Sequence, residues 1–112
     1  MEIPKNGKLH RIFIGESDQH NGQPLYEFIV HFAKKEGLAG CTVLRGIEGF
    51  GASSRIHTAK ILRLSEDLPI VIEIVDAAEK VDTFCQKIEG LVKEGLATVE
   101  NVQVLFYRHQ RK

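Results

Sequence analysis

The chain reads twice as strand, helix, strand, and few folds accept that plan within 112 residues. Residues 8–14, Lys-Leu-His-Arg-Ile-Phe-Ile, alternate loosely and are rich in β-formers, which predicts a first strand. The polar stretch from Gly15 to Gly22 follows as a loop. Pro24 suits the first turn of a helix, where its missing N–H has no intrahelical acceptor to lose. Leu25, Phe28, Ile29, Phe32 and Ala33 then recur at the spacing of one buried helical stripe. Gly37 closes this helix, since glycine takes positive φ at little cost, and residues 41–45 form the next strand.

The second half repeats the plan. Pro69 opens Ile70-Val71-Ile72-Glu73-Ile74-Val75, the strongest strand signal in the chain. Asp76 is a good N-cap, and Glu79 three residues later predicts a capping box. Val81, Phe84, Cys85, Ile88, Leu91 and Val92 mark one face of a second helix, which Gly95 can end, and residues 99–107 read as the last strand. This order predicts an α+β, ferredoxin-like βαββαβ sandwich, with a four-stranded antiparallel sheet and a long connection between the second and third core strands. The whole chain, 1–112, is expected to be one such domain.

Right-handed crossovers put both helices on the same sheet face. The other face does not look polar. Ile70, Ile72 and Ile74 point one way while Val71 and Val75 point the other, with Glu73 between them. In the expected last strand, Val102, Val104 and Phe106 oppose Leu105 and Tyr107. A sheet apolar on both faces wants cover on both, which predicts a homo-oligomer with its sheets packed together.

Charge and composition narrow the function. Fifteen basic and fifteen acidic residues cancel, which argues against a chain built to hold nucleic-acid backbone. No apolar run is long enough to span a bilayer, and the first residues lack the apolar middle of a signal peptide, so a cytoplasmic protein is expected. Cys41 and Cys85 lie far apart outside any CxxC and read as small buried apolar residues. The five histidines are scattered without HxH or HExxH spacing, and no metal is expected.

The connection at 46–68 is longer than structureless loops in compact domains usually are. It opens with Gly46, Gly49 and Gly51 and carries or adjoins Arg45, Arg55, His57, Lys60 and Arg63. Residues 56–64 could pair as an added strand. Glycine N–H groups can line an anion and arginine offers planar paired donors to phosphate. A hairpin tip, with glycines for turn geometry and solvated arginines, explains the same residues. The spacing is neither a Rossmann fingerprint nor a P-loop, because no helix and no Gly-Lys-Ser/Thr follows.

Leu44-Arg45-Gly46-Ile47-Glu48-Gly49-Phe50-Gly51, Ile56-His57-Thr58 and the run from Leu64 to Asp76 resemble the PII-like family known as domain of unknown function 190. Gly15-Glu16-Ser17-Asp18 and Gly22-Gln23-Pro24-Leu25 fit it too. More distantly the chain is similar to the PII signalling proteins. That resemblance implies a trimer with its sheets turned inward, an adenine nucleotide (AMP, ADP or ATP) in clefts between subunits, and a loop over 46–68 that reports to a partner protein. It implies that Thr42 and Gly49 fall beside the nucleotide with Phe50 and Gly51 at the base of the loop, and Arg108 and Arg111 loosely echo the basic C-terminal pair of PII proteins; the arm's own residues add Gly46 and a pairing of phosphate with Arg45 or Arg55. A membrane transporter is the partner class that relatives suggest. The lysine-rich phosphate loop of PII proteins has no counterpart in Glu94-Gly95-Leu96-Ala97-Thr98-Val99-Glu100, so selectivity for a triphosphate is not implied.

Glu48, His57, Glu66 and Asp67 are the candidate acid–base groups, but no nucleophile–base arrangement has a recognisable spacing. Three readings remain: a nucleotide-responsive regulator, which is favoured; a small enzyme acting on a nucleotide in the same cleft; and a structural oligomer without a ligand.

Overall fold

The structure, a computed structural model, describes residues 6–51, 57–58 and 67–110. Strand β1 is Asn6–Gly15, and a two-residue hairpin follows, β2 Gln19–His20 with β3 Gln23–Pro24. Asn21 and Gly22 at its tip both have positive φ, the requirement of a type I′ turn. The polar loop therefore contains a ladder that its composition did not announce.

Helix α1, Leu25–Lys35, starts one residue after Pro24 and buries Leu25, Ile29 and Ala33. Phe28 and Phe32 flank that stripe with stacked rings 5.7 Å apart. Gly37, at φ +80, ends the helix as expected: its N–H donates to Lys34 O and the Leu38 N–H to Ala33 O, each at 3.1 Å. Next come β4, Thr42–Arg45, and a short pair, β5 Glu48–Gly49 with β6 His57–Thr58. The rest of the added strand expected at 56–64 lies outside the described residues.

Strand β7, Pro69–Ala77, leads into α2, Ala78–Glu89, and β8 is Leu96–Gln103. The sheet order is β4-β7-β1-β8, all antiparallel, which is the ferredoxin-like arrangement. Ile12, Ile14, Ile70, Ile72 and Ile74 form the core with Leu25, Ile29, Ala33, Phe84 and Ile88 from the helices.

Four local expectations fail. Asp76 does not cap α2, because Ala77 holds the N-cap position and no N-cap side chain bonds the first turn. Its buried carboxylate accepts the N–H of Ala77 at 2.6 Å and of Ala39, before β4, at 2.9 Å. Gly95 does not end α2, which stops at Gly90. A side chain on Gly95 would put Cβ 2.5 Å from Phe13 O, so glycine lets the chain enter β8 against β1. The last strand thus lies earlier than 99–107, and Leu105 to Tyr107 run beyond the sheet. Cys41 and Cys85 are free thiols and half-buried rather than buried. Burial pushes the Cys41 thiol up to about 11.

The face away from the helices is apolar, as expected, but in rows. Leu44, Val71, Phe13 and Leu96 are register partners in turn, one apolar row across four strands. Beside it runs a polar row, Thr42, Glu73, Arg11 and Thr98. Arg11 bridges Glu73 at 2.8 Å and Glu100 at 2.7 Å. The hydrogen bond to Glu73 pushes the Arg11 guanidinium further above its ordinary value, with Glu100 adding to the effect.

Candidate functional site

β4 is an edge strand, so its last residue is free to leave the sheet. Arg45 pairs with Ile70, and the Gly46 N–H donates to Pro69 O at 2.7 Å. The chain then folds over the Pro69 ring: a Cβ at Gly46 would lie 3.3 Å from it and one at Gly49 3.0 Å. Glycine at these two positions keeps the turn clear of the proline ring, which a Cβ would press on. Ile47 and Phe50 are exposed, and among the described residues nothing lies within 4 Å of a Cβ placed on Gly51.

A second segment meets this turn. The loop at 15–18, after β1, brings Glu16, whose carboxylate accepts from the Arg45 guanidinium. The Glu16 N–H donates to Leu68 O and the Ser17 N–H to Asp67 Oδ1, both at 2.8 Å. A Cβ on Gly15 would sit 2.7 Å from both Asp67 carboxylate oxygens. Both ends of the long connection, Arg45 and Asp67–Leu68, therefore rest on one loop.

Of the expected nucleotide residues, the structure brings Arg45, Gly46, Gly49, Phe50 and Gly51 together at this end of the sheet. Thr42 begins the same strand beside Glu73. Arg108 stands apart. Its guanidinium lies over the Phe106 ring at 4.3 Å, and neighbouring Tyr107 donates its O–H to Ala39 O at 2.8 Å. Ala39 contacts Asp76, the register partner of Lys8, so this tail crosses the opposite end of the sheet. Arg55 lies outside the described residues, as do Lys60, Arg63 and Glu66. Glu48 is exposed, and β5 pairs it with Thr58 and pairs Gly49 with His57. Among the described residues no cluster of three His, Cys, Asp or Glu is placed to hold a metal ion.

Sequence reasoning passed over Glu16 as a site residue and gave Asp67 no structural partner. The Gly15-Glu16-Ser17-Asp18 motif was visible, but nothing periodic ties it to residues 29 positions later.

The chain shares its ferredoxin-like fold with solved PII-like proteins. Its structural neighbours include CPII, a nitrogen regulatory PII-like protein from Thiomonas intermedia K12 solved with ADP, AMP and bicarbonate; the match has a TM-score of 0.68, 18% identity and 88% coverage of each chain. The DUF190 family model, described as "Uncharacterized ACR", matches residues 7–104, and the chain belongs to that family. A UPF0166 protein of Aquifex aeolicus (strain VF5) is 40% identical over 99 residues, covering 88% of this chain and 93% of that one. A UPF0166 protein of Methanocaldococcus jannaschii is 34% identical over 98 residues, covering 87% and 90%.

Proposed function

We propose that this chain is a single-domain, cytoplasmic PII-like regulator that binds an adenine nucleotide between copies of itself and modulates a partner protein through residues 46–68. The observation that carries the reading is the end of β4: Arg45 and a turn with two glycines on an edge strand, in a chain folded like a protein solved with ADP and AMP. Arginine offers phosphate paired donors, and glycine backbone permits the close approach that N–H donation to phosphate requires. Thr42, Phe50 and Gly51 would complete that side of the site, and Arg55, outside the described residues, is expected to join it.

Arg108 cannot reach Arg45 within one chain, because the length of the sheet separates them. A second copy supplies it. Packing the apolar row of Leu44, Val71, Phe13 and Leu96 against copies of itself in a homotrimer would cover that face and set one chain's tail beside the next chain's turn. Phosphate bound at Arg45 acts on the first residues of the connection, which is how occupancy would pass to a partner. A membrane transporter is the partner class we favour, on family resemblance.

Calorimetric titration with AMP, ADP, ATP and cyclic AMP tests this, with the oligomer mass taken by sedimentation. Saturable binding near one site per chain on a trimer is expected. Arg45→Ala should weaken binding roughly tenfold or more, the loss of one charged hydrogen-bonding partner. Silence across the panel overturns the nucleotide reading, and a monomer overturns the shared cleft.

A further inference from the structure

The Gly15-Glu16-Ser17-Asp18 loop takes no part in the nucleotide contacts assigned above, yet it is held from several directions. Gly15 N–H donates to Asp18 Oδ2 at 3.0 Å, and Asp18 N–H to Gly15 O at 3.2 Å. Glu16 and Ser17 bond to Leu68 and Asp67, and Asp18 O accepts from the N–H of Leu25, the first residue of α1. A loop tied to the start of β7 and to α1 offers the Glu16 carboxylate at a fixed place. Its partner is less fixed: the Glu16 side chain is 25% exposed, that of Arg45 59%.

An ion pair this open contributes little to stability. It does occupy the guanidinium, and a carboxylate presents arginine with the same two-acceptor edge as a phosphate. We propose that Glu16 stands in for the nucleotide phosphate on Arg45 and selects the ligand by its charge. This rests on the reading that Arg45 holds phosphate. A phosphate that takes Arg45 leaves Glu16 without its partner but not displaced, because the loop is anchored elsewhere. Asp18 and Asp67 keep their backbone N–H donors, so of these three carboxylates Glu16 is the one left facing the ligand. Its repulsion grows with the charge on the phosphate chain, which disfavours a triphosphate relative to a monophosphate.

Calorimetry of AMP, ADP and ATP on the full chain, on Glu16→Gln and on Arg45→Ala decides it. Glutamine keeps the shape and removes the charge. Glu16→Gln should tighten ATP about fivefold, ADP less, and AMP about twofold or less, the range open to one exposed charge. Glu16→Ala, checked for an unchanged thermal transition, should give the same ranking. An equal change for all three nucleotides, or none, while Arg45→Ala still weakens binding overturns the role of Glu16 alone. Unchanged affinity in Arg45→Ala overturns both roles, and no saturable binding by the unaltered chain removes the nucleotide reading with them.

Discussion

Where β1 begins, Gly7, Asp76 and Ala39 meet with almost no solvent between them; where it finishes, Glu16, Arg45 and Asp67 meet near the surface. Asp76 is 1% exposed and accepts two backbone N–H groups, with Lys80 Nζ 3.6 Å away. A Cβ on Gly7 would lie 2.7 Å from Asp76 O, so two backbones touch there. Such contacts cannot exchange partners without leaving buried N–H groups unpaired. The exposed Arg45–Glu16 pair can give its carboxylate up for another anion. One end of the sheet holds the fold, and the other carries an open ion pair on which the proposed response depends.

The largest effect expected is at the first end. Asp76→Ala removes the acceptor of the Ala39 and Ala77 N–H groups and the counter-charge of Lys80, and should cost about 3 kcal/mol. Urea unfolding at fixed protomer concentration measures it, and a loss below about 1 kcal/mol would break the contrast between the ends. Gly7→Ala should cost about 2 kcal/mol, because the colliding atom is backbone and cannot rotate away.

His10 adds a pH dependence to the same end. It is 2% exposed, with the Phe84 ring edge-on at 6.2 Å and Ile74 and Val99 as register partners. Desolvation holds its pKa below the usual 6.5. The unfolded chain therefore binds this proton more readily than the folded one. Stability from His10 is complete above pH 6.5 and falls as pH drops below it, by up to ~1.4 kcal/mol per pH unit, until the native pKa is reached. His10→Leu should flatten that window in unfolding curves from pH 7.5 to 5. An unchanged slope would assign the acid sensitivity to other groups.

How much of this was legible depends on how local the cause is. The alternation of Ile70 to Val75 and the spacing of Leu25, Ile29 and Ala33 are local patterns, and they carried the fold. β8 was misplaced because seven of its eight residues are exposed and only Val102 is half-buried. Its position comes from pairing with β1 and from the close approach at Gly95, while the apolar Leu105 to Tyr107 suggest a strand that is not there. Asp76 and Glu79 have capping-box spacing, yet the carboxylate is claimed by Ala39 from the other half of the chain. At the candidate site the glycines marked a turn, but Pro69, which it folds over, lies at the far side of the long connection. The Arg45–Glu16 pair was not marked at all, since it exists only once β1 and β4 share a sheet.

Smaller effects separate the ends more finely. Tyr107→Phe deletes one hydrogen bond, to Ala39 O, and should cost about 1 kcal/mol. Arg45→Ala should leave stability within about 0.5 kcal/mol, because an exposed pair returns little beyond the hydration it gives up. The two substitutions are matched in kind, each removing one side-chain partner near the surface, but they differ in what they hold. Tyr107 ties the tail to the loop before β4, so its loss loosens an attachment between distant segments. Arg45 is already anchored through its backbone to Ile70, and Gly46 through Pro69, so its side chain adds no attachment that the strand lacks. If urea unfolding shows Arg45→Ala costing as much as Tyr107→Phe, the guanidinium is a structural tie, and the responsive end of the sheet would have to be sought elsewhere.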